Sequence, residues 1–335
     1  AENVNLEIKS GEFTVLCGGA GAGKSAVMRM ICGLEDVTEG EVLIDGVRVN
    51  DVQPKDRDIA VVMQNMPLYP HLTIAENIAY SLNLRKMPEA EVDARVKEAA
   101  EIMGVTGCLS KKPKNLSSLE RQRVLLARSV ARRTKIIMAD EPFKGLDDGL
   151  KNEMRSEMIK LCASLGVNFI VSVRSFADAM VMADKIVYME NGKIVQYGTP
   201  EELYNSPSTV NVASYFGRPK INVMDGVVEN GSFVGGGITV PLGSEKDLSA
   251  YDGNGKKVYL AVRSEDIAEG SLFETEIESV GDGKDGRRAF SFTLGGVYRF
   301  TANGKNSFSA NTRGGIGFDL DRVLLYDFDT EELIN

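Results

Sequence analysis

A run of eight residues near the N-terminus has the residue types and the spacing needed to hold phosphate groups. The run is Gly18, Gly19, Ala20, Gly21, Ala22, Gly23, Lys24 and Ser25, and Ala26 follows it directly. Glycines let backbone N–H groups turn towards phosphate oxygens, and a helix that starts here adds the positive end of its dipole. We expect Lys24 to reach the β- and γ-phosphates and the Ser25 hydroxyl to bind Mg²⁺. The run therefore predicts a binding site for the triphosphate of a purine nucleotide.

Two adjacent carboxylates, Asp140 and Glu141, follow the apolar segment 135–139. Alone, an Asp-Glu pair at the end of a strand is typical of a solvated turn. In a chain with a phosphate loop, the aspartate in this position holds the Mg²⁺ shell, and the next glutamate can accept a proton from an attacking water. We therefore expect Asp140 to bind at the metal and Glu141 to act as the catalytic base.

The elements that must position these residues are indicated by apolar periodicity. Short apolar runs predict strands, and the glycines after the first run predict a strand, a turn and a helix that ends at Gly33. Asn191-Gly192 predicts a tight hairpin because both residues tolerate positive φ. The predicted strands are 12–17, 59–63, 135–139, 167–173, 186–189 and 193–197, and the predicted helices are 24–32 and 88–103.

The character of the sequence changes after about Gly217. From there to the C-terminus the chain is rich in glycine and in short alternating runs, which predicts a separate small β-domain that is barrel-like. We expect the nucleotide-binding domain to span residues 1–216 and the β-rich accessory domain to span residues 217–335.

Composition narrows the classes of partner. The net charge is −9 and no tract rich in Lys or Arg stands out, so we expect no nucleic-acid partner. No apolar run approaches the roughly 20 residues that span a bilayer. The four cysteines contain no CxxC pair, which favours buried, reduced thiols in a cytosolic protein over a metal site or disulfides.

A third motif, residues 116–124, reads Leu-Ser-Ser-Leu-Glu-Arg-Gln-Arg-Val. Together with Gln64, the segment 68–73, and Leu146-Asp147 after the acidic pair, it resembles the ATP-binding subunit of an ABC transporter. The resemblance is strongest to carbohydrate importers of the maltose and glycerol-phosphate type. It runs from about residue 3 to 216 and continues more weakly through 262–267 and 317–319.

This resemblance implies a P-loop NTPase α/β core with a helical subdomain at about 73–132, followed by a small OB/TOBE-type β-barrel. It implies a homo- or heterodimer that sandwiches two ATP molecules, with Ser117 and Asp147 also at the nucleotide. Gln64 is implied at the Mg²⁺ and in catalysis, reporting to membrane-embedded permease subunits and, indirectly, to a solute-binding protein. The chain would lie peripherally on the cytoplasmic face of the plasma (inner) membrane.

The sequence departs from the family signature Leu-Ser-Gly-Gly-Gln at Ser118, Leu119 and Glu120. Leu119 adds bulk, and Glu120 places a carboxylate where a highly negative phosphate is expected, so we expect impaired binding across the dimer. The alternative is that the loop shifts slightly and Ser117 still binds.

Arg174 occupies the position of the family's switch histidine. Arginine cannot shuttle a proton at neutral pH, but it can stabilise the charge of the γ-phosphate. A plain solvated arginine fits the sequence equally well. The overall prediction is an ABC-type ATPase subunit that drives solute import, with sugar as the expected solute. The alternative is a non-hydrolysing ATP-binding regulatory subunit or a decayed paralogue.

Overall fold

The computed structural model describes residues 1–63, 66–243, 247–282, 288–304 and 306–334. The chain folds into two compact units, Ala1–Pro200 and Glu201–Asn335. Residues 201–216 thus group with the second unit, whereas the sequence assigned them to the first domain. Within the described residues, no helix has the length and apolar character needed to cross a membrane.

A six-stranded sheet forms the centre of the first unit. Its strand order is β4-β5-β6-β1-β7-β8, and every neighbouring pair is parallel except β7 and β8. The parallel strands are almost wholly buried, as expected when helices cover both faces of a sheet. The strands of this unit are β1 (Phe13–Cys17), β2 (Leu43–Ile44), β3 (Val47–Arg48), β4 (Ile59–Val62), β5 (Ile136–Asp140), β6 (Asn168–Val173), β7 (Lys185–Glu190) and β8 (Lys193–Gly198).

Local signals in the sequence define where the helices of this unit begin and end. Thr73 and Ser117 each start a helix with a capping box, and Asp147 caps another with its side chain. Gly33 and Gly166 end helices in the left-handed conformation. The helices are α1 (Lys24–Cys32), α2 (Ile74–Leu84), α3 (Glu89–Ile102), α4 (Ser118–Arg132), α5 (Asp148–Leu165) and α6 (Phe176–Met182). The predicted strands and helices of this unit are confirmed, with small shifts at their ends.

The C-terminal end of α1 is held by a buried arginine. Arg57 is 5% exposed, and its guanidinium donates to the carbonyl oxygens of Met30 and Ile31, both at 2.9 Å. It also donates to the carbonyls of Asn50 (3.0 Å) and Val52 (2.9 Å). A positive charge at a helix C-terminus is favoured by the helix dipole. Arg57 therefore ties the phosphate-loop helix to the segment that leads into β4.

Gly33 makes this arrangement possible. Its φ of +74° is in the left-handed region, and a Cβ at this position would lie 2.5 Å from Cζ of Arg57. A larger residue would therefore displace the guanidinium as well as strain the helix end.

The second unit consists mainly of antiparallel strands, and its two sheets have the orders β11-β10-β9-β12-β17 and β15-β14-β13-β16. Buried phenylalanines, including Phe233, Phe290 and Phe300, pack in one core with aliphatic residues from both sheets. The predicted β-rich C-terminal domain is confirmed. Its elements are α7 (Pro200–Asn205), α8 (Val210–Tyr215), β9 (Asn222–Glu229), β10 (Ser232–Gly235), β11 (Ile238–Pro241), β12 (Lys257–Val262), β13 (Ile267–Asp282), β14 (Arg288–Leu294), β15 (Tyr298–Gly304), β16 (Thr312–Phe318) and β17 (Leu324–Asp327).

Replacing Arg57 with methionine should destabilise the first unit by about 3 kcal/mol, because the charge is lost and up to four carbonyl groups lose their donor. Chemical unfolding followed by far-UV circular dichroism measures this. The control is Arg29→Met, which removes an arginine from the same helix end where the side chain is 48% exposed in an ion pair with Glu35. We expect a change within about 0.5 kcal/mol there, and equal losses in the two variants would contradict the role given to Arg57.

Candidate nucleotide-binding site

The phosphate loop turns from the end of β1 into α1 against the β7–β8 hairpin. Gly18 has a φ of +145°, and a Cβ on it would lie 2.2 Å from the carbonyl oxygen of Met189 on β7. Only glycine fits this position, because the neighbouring atom is backbone and cannot move away. The hairpin itself has the predicted turn, with Asn191 and Gly192 both at positive φ.

Lys24 is folded back over the loop that precedes it. The residue is 6% exposed, and its Nζ donates to the carbonyl oxygens of Gly18 (2.7 Å) and Gly19 (2.9 Å). Burial lowers the pKa of the Lys24 ammonium from its ordinary value, and the negative charge of Glu141 most strongly opposes that shift. The ammonium is thus already held at the loop, at the place where the sequence expects phosphate oxygens.

Ser25 and Asp140 meet across the end of the sheet. The Ser25 hydroxyl donates to Oδ1 of Asp140 at 3.3 Å. A hydroxyl and one carboxylate are hard oxygen donors that suit Mg²⁺, which usually keeps waters and phosphate oxygens as its other ligands. The Ser25 hydroxyl and the Asp140 carboxylate therefore fit the donor types of a Mg²⁺ site. Within the described ranges, no cluster of three or more His, Cys, Asp or Glu side chains could hold a metal ion.

Ser172, at the end of β6, supports both acidic residues, and its role is not among those predicted from the sequence. Its hydroxyl donates to Oδ1 of Asp140 and accepts a hydrogen bond from the backbone N–H of Glu141 at 3.0 Å. The backbone carbonyl of Ser172 also accepts from that N–H at 3.2 Å. The signal in the sequence is one polar residue near the end of an otherwise apolar strand, which is weak without knowledge of the strand's neighbours.

Glu141 and Arg174 form an ion pair. Glu141 has a φ of +47°, and its side chain is only 14% exposed. Nε of Arg174 donates to Oε1 of Glu141, while the Arg174 side chain is 58% exposed. The Arg174 side chain is thus both largely exposed and paired with the expected catalytic base. A contact with the γ-phosphate and a plain solvated arginine both stay predictions.

Asp140 and Glu141 also line a cavity of about 360 Å³. Gln122 and Leu125 of α4 and Met63 after β4 also line it. The volume is in the range of small-ligand pockets, roughly 300–1,000 Å³. Gln64, expected at the Mg²⁺ and in catalysis, follows Met63 directly and lies outside the described residues.

Comparisons with known proteins agree with this geometry. The family described as "ABC transporter" matches residues 1–144. The oligosaccharides import ATP-binding protein MsmX of Bacillus subtilis is 45% identical over 79% of this chain and 73% of its own length. The trehalose/maltose import ATP-binding protein MalK of Thermococcus litoralis is 35% identical over 99% of this chain and 94% of its own. The chain belongs to the ABC transporter family.

Solved structures support the same fold for the ATP-binding unit. The cassette MJ0796, solved as a dimer in a post-hydrolysis state with ADP and Pi, is 32% identical with a TM-score of 0.54. It covers 59% of this chain and 89% of its own. The protein cbiO1 of Clostridium perfringens, part of the transporter complex cbiONQ, is 25% identical with a TM-score of 0.57, covering 60% of this chain and 82% of its own. The predicted family and the P-loop fold class are confirmed.

The altered signature of this ABC protein begins α4. Ser117 caps the helix by accepting from the backbone N–H of Glu120 at 3.1 Å, and Glu120 returns the bond by accepting from the Ser117 N–H at 2.7 Å. The Glu120 carboxylate also accepts from Sγ of Cys108 (3.0 Å) and Nζ of Lys111 (3.3 Å). The backbone N–H of Ser117 contributes most to lowering the pKa of Glu120, to about 2. The carboxylate is therefore ionised at neutral pH and is held at the start of its own helix.

Asp147 has a comparable local task. Its side chain caps α5 by accepting from the backbone N–H of Leu150 at 2.9 Å. The structure thus brings five predicted site residues together at the carboxyl edge of the sheet, and it places Ser117 and Asp147 at the starts of α4 and α5. The roles of these two residues toward a nucleotide stay predictions. The five residues at the sheet edge are Lys24, Ser25, Asp140, Glu141 and Arg174.

Replacing Ser172 with alanine should lower the Mg²⁺-dependent ATPase rate by about tenfold, because second partners of metal-site residues typically contribute that much. A shift of the Mg²⁺ concentration that gives half-maximal activity measures the effect on Asp140 directly. Ser156→Ala is the control, since that exposed hydroxyl donates to the carbonyl of Asn152 within α5. A Ser172→Ala variant with unchanged rate and unchanged Mg²⁺ dependence would contradict the role of the hydroxyl.

Proposed function

We propose that this chain is the ATP-binding subunit of a sugar importer, and that ATP binding and hydrolysis at the phosphate loop drive import through membrane partners. The observation that carries the proposal is the convergence of Lys24, Ser25, Asp140 and Glu141 at one edge of the sheet. Two of the named relatives support sugar as the solute class, because MsmX is named for oligosaccharide import and MalK for trehalose/maltose import.

The predicted site residues have different roles in ATP hydrolysis. The loop 18–26 and Lys24 bind the phosphates, and Ser25, Gln64 and Asp140 would hold Mg²⁺, which neutralises phosphate charge when it is bound. A water oxygen bonds to the γ-phosphorus while the bond to the β,γ-bridging oxygen breaks, and ADP leaves with that electron pair. The proton of the water passes to the carboxylate of Glu141.

The partners of this subunit follow from the same proposal. A second ATPase subunit, identical or different, places its own signature helix on the bound nucleotide, and Ser117 and Asp147 of this chain serve the partner's site. Permease subunits in the membrane dock on the helical segment at about 73–132, and a solute-binding protein acts through them. The chain lies peripherally at the cytoplasmic face of the membrane, residues 217–335 form the accessory domain, and no nucleic acid takes part.

Replacing Lys24 with alanine should abolish ATP binding, because the variant lacks the ammonium held at the loop. Equilibrium binding of a fluorescent ATP analogue measures this. Lys55→Ala, which removes an ammonium before β4, is the control and should bind normally. ATP affinity that is unchanged in Lys24→Ala would refute the site.

Glu141→Gln should retain binding and lose steady-state turnover, whereas binding without turnover in the unmodified protein would favour the non-hydrolysing alternative.

Restoring the family signature by Ser118→Gly, Leu119→Gly and Glu120→Gln should raise the ATPase rate. The change removes bulk and a negative charge from a helix start that we propose faces the partner's γ-phosphate, and glutamine at 120 can still accept from the Ser117 N–H. The single change Glu120→Gln separates the charge from the bulk. Steady-state ATPase assays with the membrane partners measure the rates, and no increase in either variant would show that the signature does not limit turnover.

A further inference from the structure

The ion pair between Arg174 and Glu141 joins the switch position to the expected catalytic base. Glu141 is held in place from two directions: its backbone N–H is bonded to Ser172, and Oε1 of its side chain accepts from Nε of Arg174. A general base needs a carboxylate oxygen that can face the attacking water. The ion pair therefore engages one oxygen of the Glu141 carboxylate, which is the group that would take the proton.

Lys24 and Arg174 differ in their exposure to solvent. Lys24 is 6% exposed and its ammonium is held by the carbonyl oxygens of Gly18 and Gly19. The Arg174 side chain is 58% exposed and starts from the residue after β6. Of these two cations, Arg174 is therefore the one whose position a new anion at the loop would change more readily.

A γ-phosphate is the stronger of the two competing anions. It presents more oxygens and more negative charge than one carboxylate, and guanidinium can bind either anion with two parallel hydrogen bonds. ADP presents no γ-phosphate. The charge of arginine also stays on at every physiological pH, unlike that of histidine, so the choice between the two anions depends on the nucleotide and not on protonation.

We propose that Arg174 is an exchangeable latch. Without a γ-phosphate it pairs with Glu141, and with ATP bound it moves to the γ-phosphate and frees Glu141 to face the water. This inference rests on the proposed function, because it requires ATP at the phosphate loop. Arg174 thus distinguishes a triphosphate from a diphosphate, and it couples that distinction to the availability of the base.

The latch predicts thermodynamic coupling between residues 141 and 174 in the affinity for a non-hydrolysable ATP analogue. Arg174→Ala should weaken analogue binding by about tenfold, the effect of losing one charge-assisted contact, while ADP affinity changes less than about twofold. Glu141→Gln should strengthen analogue binding several-fold because it releases the guanidinium. That gain should be absent when Glu141→Gln is combined with Arg174→Ala.

Titration calorimetry of the four proteins with the analogue and with ADP, in the presence of Mg²⁺, tests the latch. Arg174→Lys should recover part of the lost analogue affinity. Arg155→Ala is the control, since Arg155 also forms an ion pair with a carboxylate, that of Asp178 on α6 (2.7 Å), and it should leave the ratio of the two affinities unchanged. Thermal melting of each variant verifies that it is folded.

The outcomes separate this inference from the proposed function. If the unmodified protein binds neither nucleotide, both are overturned. If it binds both but Arg174→Ala weakens analogue and ADP equally, or the gain from Glu141→Gln persists in the double variant, the latch alone is wrong. The latch is established if Arg174→Ala selectively loses affinity for the analogue and if the affinity gained by Glu141→Gln disappears in the double variant.

Discussion

The charge balance around Asp140 and Glu141 is the constraint on which the rest of the site depends. Two carboxylates follow one another at the end of a buried strand, where an unpaired charge is costly. Asp140 accepts from the hydroxyls of Ser25 and Ser172. Glu141 pairs with Arg174, and its negative charge opposes the lowering of the Lys24 pKa by burial. Ser25 and Ser172 thus supply proton donors to this pair of carboxylates, and Arg174 and Lys24 supply positive charge.

The parallel sheet makes that balance possible. β5 and β6 are paired in register from Ile136 and Asn168 to Asp140 and Ser172. The carboxyl ends of these two strands therefore lie at the same edge of the sheet. β1 lies beside β6 and delivers the phosphate loop to that edge. Arg57 fixes the other end of α1. The site is therefore positioned by strand register and by one helix that is held at both ends.

Features that depend on residues close together in the sequence could be predicted, whereas contacts between residues far apart in the sequence could not. The loop 18–25 is predictable because the residues that bind phosphate are consecutive and its glycines permit the backbone conformation that the loop needs. The helix starts at Thr73 and Ser117 depend on capping boxes that are equally local, although the helices predicted from the sequence, 24–32 and 88–103, do not include them. The roles of Ser172 and Arg57 were not predicted, because each contacts residues brought near only by the sheet or by the packing of α1. The resemblance of the chain to the family places Arg174 at the switch position. Its ion pair with Glu141 was not predicted, because the two residues are 33 positions apart in the sequence.

Glu120 shows how a local interaction changes the meaning of a sequence departure. The sequence suggests a carboxylate that repels a phosphate. In the folded chain that carboxylate satisfies the Ser117 N–H, which would otherwise be an unpaired donor at the start of α4, and it pairs with Lys111. Its negative charge is thus already matched by a helix dipole and an ammonium within the same unit. The net repulsion felt by an anion at this helix start is smaller than the residue type alone implies, and the bulk of Leu119 becomes the larger part of the departure. In the proposed function, phosphate binding and the completion of a second subunit's site would therefore depend on separate parts of this chain, the phosphate loop and the start of α4.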